Sequence, residues 1–361
     1  MNDSRIHPRL ASIGLTAAVL RKLPPPRGDE STHHIALMRV AEVQRESLLL
    51  HDGDALHSAR LLPVLRQTLA AGNDAIAVGD WVLAHRNALA EWWAHDRLPP
   101  RNQLARRLTD GRDKVTRAVI VSNVDTALLV MGLDHDYNLR RLERFVALVQ
   151  MAGVTPVVVL SKADLVADAA LRVAEAQRLL PPQAAVLAMT LSGDATAALS
   201  PWLQAGQTLV LLGSSGTGKS TLTNTLAGHG VAVIGANRAD DSRGRHTTTA
   251  RTLYRTPTGA CIIDTPGLRT LRLDGDADAI GTAFADVAQL AGGCRFRDCR
   301  HADEPGCAVR GSVSEERLKN YGKLLRETQR DTLTALQRKA QVQQWKAHGR
   351  PARLRTEAKR G

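Results

Sequence analysis

Two stretches, "VVVLSKADL" (residues 157–165) and "GSSGTGKST" (213–221), decide how this chain folds. The first is a β-branched run entering a loop, the pattern of a buried strand and its outgoing turn. In that loop Asp164 suits a guanine base: its carboxylate can accept from both the ring N1–H and the exocyclic amine, a donor pair that adenine lacks. The Lys162 stem can pack over the ring, and Ser161 and Ala163 complete the base loop. The second stretch satisfies the Walker A pattern through Gly213, Gly218, Lys219 and Ser220. There the backbone N–H groups of Gly213, Ser214, Ser215, Gly216, Thr217 and Gly218 can converge on phosphates at the positive end of the following helix, which Ser220 and Thr221 begin. Lys219 would neutralise the β- and γ-phosphates, and the Ser220 hydroxyl would bind Mg²⁺.

An ordinary GTPase presents its phosphate loop first and its base loop much later. Here the order is reversed. From Asn123 onward strands and helices alternate, which marks a parallel sheet with crossover helices. "TALLVMGL", "TPVVVLS", "AAVLAMT", "QTLVLLG", "RTLYRTP" and "GACIIDTPG" read as six strands, the number in a Ras-like sheet. In such a sheet the first strand and the last helix end near one another. Joining those ends and reopening the chain beyond "DTPG" gives the order seen, while the loops at the strand ends still converge. The fold expected for residues 118–275 is a circularly permuted α/β P-loop GTPase domain.

"CIIDTPG" places Asp264 at a strand end, able to hold Mg²⁺ through water, and Gly267 where its N–H can meet a γ-phosphate. "SRGRHTTTARTLY" (242–254) has the composition of a mobile switch loop. One of Thr247, Thr248 and Thr249 should complete the Mg²⁺ shell, with Thr248 as the working assignment.

The flanks carry their own signals. Residues 1–33 read as an extension, a short helix or disordered, released by the linker "PPPRGDES" (24–31). Residues 34–95 hold short β-type runs separated by turns, as in a small barrel of the OB type. Residues 96–117 form a basic connector with seven basic and three acidic side chains, either a solvated surface or an RNA-facing one. Three of the four cysteines cluster in "CRFRDCRHADEPGC" (294–307). Cys294, Cys299, His301 and Cys307 make a closed tetrahedral Zn²⁺ set, structural because no coordination position stays open. Cys261, in an apolar strand, reads as a core thiol. The zinc-binding, mostly helical domain is expected over 276–345, with a basic tail over 346–361 that carries six Lys or Arg against one acid.

At 361 residues the chain is too long for one core. Its net charge of +12 and pI near 10.1 suggest a polyanionic partner, nucleic acid before membrane. No apolar run is long enough to span a bilayer and no cleavable leader is evident, so the expectation is a cytoplasmic protein with no membrane association. Nothing in the sequence demands oligomerisation, and monomer is the default.

With these pieces together, the chain resembles the RsgA (YjeQ) family of circularly permuted GTPases of small-subunit ribosome assembly. The resemblance covers roughly residues 35–330 and rests on "LPPRNQLARR", "SKADL", "GSSGTGKSTL", "GRHTTTAR", "DTPGLR" and "CRFRDCRHADEPGC", in that order. It implies an N-terminal OB domain, the permuted G domain and a C-terminal zinc domain. It also implies binding to small-subunit rRNA, assistance in late maturation, and GTP hydrolysis to GDP and phosphate stimulated by that subunit. Two departures stand out: Ser161 occupies a position where most GTPases carry Asn, and Met189-Thr190 stands where a Ser-Ala loop usually backs the guanine.

Two rival readings are separable. An ATP-driven P-loop enzyme would leave Asp164 without a role. A zinc and OB RNA-binding protein that uses guanine nucleotide only as a conformational switch would show no turnover. For the hydrolytic step, the residue after "DTPG" is Leu268, which cannot orient water, and Gly216 replaces the Asn of cation-activated GTPases. His246 is the nearest polar candidate to position the attacking water, set against a role in contacting RNA or solvent alone.

Overall fold

The computed structural model describes residues 8–24, 35–109, 115–190, 194–228, 251–265, 280–281 and 284–332. Two short helices come first, α1 (Pro8–Ala11) and α2 (Ala17–Leu20), the second capped by the Thr16 hydroxyl. The barrel then runs β1 (Ile35–Val43), β2 (Leu48–His51), β3 (Leu56–Leu61), α3 (Pro63–Ala71), β4 (Trp81–Arg86) and β5 (Trp92–Arg97). Strand β1 pairs with both β2 and β4, β4 pairs with β5, and β3 lies parallel to β5, so the sheet closes on itself. Closure in the order β1-β2-β3-β5-β4, with a helix between β3 and β4, is the OB arrangement. Alternate residues fill its interior: Met38, Val40, Leu48, Leu50, Ala59, Val82, Ala84 and Ala94 are buried together.

The expected basic connector over 96–117 is not a linker. Its first residues finish β5, and β6 (Gln103–Thr109) and β7 (Val115–Ser122) then pair as a two-stranded sheet. The reason lies in the acids that its arginines meet. Arg97 reaches Asp74 at 2.6 Å and Asp80 at 3.6 Å, Arg101 reaches Asp125 at 2.6 Å, and Arg117 reaches Asp74 at 3.4 Å. Those three side chains are engaged within the fold rather than presented to a partner.

The alternating half follows: β8 (Thr126–Gly132), α4 (Leu139–Met151), β9 (Thr155–Ser161), α5 (Ala169–Leu179), β10 (Ala185–Ala188), α6 (Ala195–Leu199), β11 (Thr208–Leu212), α7 (Lys219–Ala227), β12 (Thr252–Arg255) and β13 (Cys261–Asp264). The Asn138 side chain caps α4 by accepting from the Arg141 N–H, and the helix buries Leu142, Phe145, Val146 and Val149. The strand order is β10-β9-β8-β11-β13-β12, parallel except for the antiparallel β12–β13 pair. All six expected strands are present, and the Cys261 thiol is buried among them.

The expected boundaries at 95 and 118 separate two folds that the structure joins. β1 of the barrel also pairs with β12, through Glu42 opposite Thr252, so one 11-stranded sheet runs through both. The Thr252 hydroxyl donates to Glu42 at 3.3 Å. Nor are residues 8–24 a free extension, because Ile13, Leu15 and Val19 are buried. Residues 25–34, which include most of the expected linker, lie outside the described residues.

Arg39 holds this junction. It is fully buried, and its guanidinium donates to the Gly79 carbonyl at 3.4 Å, the Asn123 carbonyl at 3.2 Å and the Ile13 carbonyl, while lying over the Trp81 ring. Gly14 is required beside it: φ is +90°, and a Cβ there would sit 2.3 Å from an Arg39 nitrogen. Burial draws the Arg39 pKa down, and the dipoles of the three carbonyls it donates to surround the charge.

The chain divides into two compact units, residues 1–107 with 117–274 and residues 108–116 with 275–361. The second contains α8 (Ala285–Ala291) and α9 (Glu315–Thr332). Within it Arg317 grips Asp286 with two nitrogens at 2.7 Å and lies over the Phe284 ring, which meets Tyr321 edge-on. The expected tail, 346–361, lies outside the described residues.

The junction yields a stability prediction. Arg39→Ala strips a charged donor from three carbonyls and opens a cavity, which should cost about 2–4 kcal/mol. Arg39→Lys should recover little, because one ammonium cannot span three diverging acceptors. Urea unfolding followed by tryptophan fluorescence checks this; a loss under about 1 kcal/mol for Ala would show that the guanidinium does not hold the junction.

Candidate nucleotide site and metal centre

Parallel pairing brings the ends of four strands to one edge. Gly132 of β8 stands opposite Ser161 of β9, Leu212 of β11 opposite Leu129 of β8, and Asp264 of β13 opposite Leu211 of β11. The loops leaving these strands therefore open on the same side.

The phosphate loop leaves β11 at Gly213. Its φ of +154°, with the Val130 carbonyl only 2.1 Å from where a Cβ would stand, excludes any side chain. The turn is braced internally, as the Thr217 hydroxyl donates to the Ser214 carbonyl at 3.0 Å. Lys219 opens α7, and its ammonium donates to the same carbonyl at 2.6 Å, folded back over the loop. Ser215, Gly216, Ser220 and Thr221 are exposed, open to a ligand. Burial lowers the Lys219 pKa and raises that of Asp264, and each charge offsets the other's shift. A lysine and a carboxylate sharing one half-buried space fit phosphate with a divalent cation.

The base loop leaves β9 at Ser161. Lys162 is left-handed (φ +61°), and Ala163–Leu165 form one turn of 3₁₀-helix that carries Asp164 exposed. The Ala163 N–H donates to the Met189 carbonyl at 3.3 Å, so the segment after β10, where Met189-Thr190 replaces the usual Ser-Ala, packs behind the base loop. The buried Ser161 donates its hydroxyl to the Thr217 carbonyl at 2.7 Å. That bond ties base loop to phosphate loop. The shorter Ser at an Asn position thus still makes the tether, by reaching a carbonyl within the phosphate loop.

One residue of this site was missed from sequence. Asp134, in the loop after β8, accepts from the Lys162 ammonium at 2.7 Å. It lies 28 residues before its partner, and a lone acid in a polar loop carries no motif to announce it. His246, Thr247, Thr248, Thr249, Gly267 and Leu268 lie outside the described residues.

In the second unit the ligand atoms of Cys294, Cys299, His301 and Cys307 all lie within 4.8 Å of one another. The His301 Nδ1 is 3.6 Å from Cys294 Sγ and 3.5 Å from Cys307 Sγ. A tetrahedron with the usual Zn–S and Zn–N bond lengths has S···N edges of about 3.6 Å, so the donor set fits that ion. The Ala308 and Arg310 N–H groups donate to Cys294 and Cys307 sulfurs at 3.4 Å, which favours thiolates. His301 is itself left-handed (φ +59°) and buried, with its ring 6.2 Å from that of Tyr321.

A phosphate loop and a base loop, tied together on a sheet whose strands are entered in rotated order, define a circularly permuted P-loop GTPase. Known proteins agree. The family model described as RsgA GTPase matches residues 98–274. The small ribosomal subunit biogenesis GTPase RsgA of Xylella fastidiosa (strain 9a5c) is 45% identical over 269 residues, 73% of this chain and 76% of that protein. The protein of the same name from Xanthomonas axonopodis pv. citri (strain 306) is 44% identical over 326 residues, 87% of each chain. Among solved structures, YjeQ from Thermotoga maritima superposes with a TM-score of 0.59 at 23% identity, over 81% of this chain and 98% of that one. YloQ, described as a circularly permuted GTPase, gives 0.57 at 21% identity over 86% and 100%. The chain belongs to the RsgA family, and it is a GTPase.

The cysteine cluster generates a direct test. Metal analysis of the purified chain should find one tightly held ion, and Cys299→Ser should lower metal content several-fold and lower the unfolding midpoint of the second unit. Full metal content in that variant would show that the four residues are not one ligand set.

Proposed function

We propose that this chain hydrolyses GTP to GDP and phosphate on the small ribosomal subunit, assisting late maturation, with turnover raised by the subunit itself. The observation that carries the reading is the Ser161–Thr217 hydrogen bond, which makes one pocket of the base and phosphate loops. The relatives' names supply the setting. The net charge of +12 supports rRNA as the surface met.

In this reading Asp164 pairs with the guanine N1–H and amine, and the Lys162 stem covers the ring. The backbone of Gly213–Thr221 cradles the phosphates, and Lys219 offsets their charge. Ser220, Asp264 and Thr248 would hold Mg²⁺, which would supply neutralisation of phosphate charge. Gly267 would meet the γ-phosphate. Zn²⁺ on Cys294, Cys299, His301 and Cys307 would act as a structural brace with no open position. The segment beyond Gly267 runs directly into the second unit, so a change at the γ-phosphate is passed to it along the chain. The protein works as a monomer in the cytoplasm. Among the described residues no helix is long and apolar enough to cross a membrane. Of the arginines over 96–117, Arg97, Arg101 and Arg117 are engaged internally, so that segment's share of the rRNA contact is left to its other basic residues, alongside the barrel and the basic tail.

His246 is assigned to orient the attacking water, since Leu268 can neither donate nor accept a hydrogen bond. His246→Ala should leave GTP affinity within about twofold while lowering subunit-stimulated turnover by 10²-fold or more. Single-turnover hydrolysis with and without small subunits measures both. Undiminished stimulation would move the role to a group supplied by the ribosome. Absence of turnover in the wild type, with and without subunits, would instead favour a nucleotide-switched RNA-binding protein.

A further inference from the structure

The contact between Lys162 and Asp134 is built on both sides. Lys162 leaves the end of β9 in a left-handed conformation, unusual for a side chain with a Cβ, and this fixes the direction in which its stem departs. The stem then crosses the end of β8: a Cβ on Gly132 would lie 3.6 Å from Lys162 Cδ and 2.5 Å from Asp134 Oδ1. The ammonium ends on Asp134 Oδ2 at 2.7 Å. The carboxylate is fixed in turn, because its other oxygen accepts from the Asp136 N–H at 3.1 Å. Both side chains are about one-fifth to one-quarter exposed, which leaves the pair accessible yet partly shielded from solvent. The Lys162 hydrogen bond is also the first cause holding the Asp134 carboxyl below the usual range.

We propose that Asp134 is a positioning residue for base recognition, holding the Lys162 ammonium aside so that the methylene stem is already laid over the guanine face before nucleotide arrives. This rests on the assignment of Lys162 and Asp164 to the base loop. The physical basis is preorganisation. A lysine stem free in solution has several rotatable bonds to immobilise when a ring docks on it, and a stem anchored at its far end has fewer. The strand-end loop that bears Asp134 thereby tunes affinity without touching the nucleotide. Because the stem meets the face of the ring rather than its edge, the effect must be blind to the exocyclic amine that Asp164 reads.

The test measures affinities of the full-length chain for GDP and for IDP, by displacement of a fluorescent GDP analogue. Asp134→Ala should weaken GDP and IDP binding equally, by about 5-fold. Asp134→Asn, which keeps an oxygen to accept from the ammonium, should lie within about twofold of wild type. In a Lys162→Ala background, Asp134→Ala should bring no further loss. If Lys162→Ala leaves GDP affinity unchanged, the base-loop assignment itself fails. If Lys162→Ala weakens binding while Asp134→Ala does not, or if Asp134→Ala costs as much without Lys162 as with it, the positioning role is overturned. Unequal losses for GDP and IDP would likewise overturn it, since they would place Asp134 at the edge of the base.

Discussion

The parallel pairing of β11 with β8 on one side and β13 on the other is the constraint from which the rest follows. Hydrogen bonds between strands fix direction and register but are indifferent to the order in which the chain supplies those strands. The phosphate loop after β11, the base loop after β9 and Asp264 at the end of β13 therefore reach the same edge, although the base loop comes first in the chain. What strand pairing alone leaves at risk is the spacing between base and phosphate, because two loops from separate segments must hold one ligand. The Ser161–Thr217 bond answers that risk directly. A hydroxyl that donates to a buried carbonyl is worth more in that setting than on a wet surface.

Strand order also decides what the sheet can join. β12 stands at the edge of the GTPase sheet, and an exposed edge calls for a partner strand. β1 of the barrel takes that place through Glu42 and Thr252. Arg39, on the same strand, then ties together the N-terminal segment, the barrel turn at Gly79 and the chain at Asn123 by donating to three carbonyls. A buried charge satisfied by dipoles is orientation-sensitive, so it specifies one arrangement of the three segments where an apolar plug would tolerate several.

The sequence carried the parts of the fold that local pattern encodes. The six strands were legible because apolar runs such as "TPVVVLS" and "QTLVLLG" are bounded by turn residues, and the ligand loops because their residue types serve one chemistry. The cysteine cluster was legible for the same reason. The β6–β7 pair was not, since "RNQLARRLTDGRDKVTR" looks solvated until Asp125 is brought to Arg101 and Asp74 to Arg117. Residues 8–24 looked like a free extension because three buried apolar side chains, Ile13, Leu15 and Val19, are too few to show a period. Asp134 was invisible for a simpler reason, that its meaning lies wholly in a side chain on another strand.

The central claim is that one pocket, assembled from loops in reversed chain order, reads guanine through Asp164. The most direct measurement is nucleotide preference, comparing GDP, XDP and ADP binding to the wild-type chain and to Asp164→Asn. A carboxamide at that position offers a donor to the xanthine 2-carbonyl where the carboxylate offers only acceptors. The account predicts that wild type prefers GDP over both others by 10²-fold or more, and that Asp164→Asn loses GDP affinity while gaining XDP affinity, with ADP still rejected. An unchanged preference in Asp164→Asn, or comparable binding of ADP to the wild type, would contradict it.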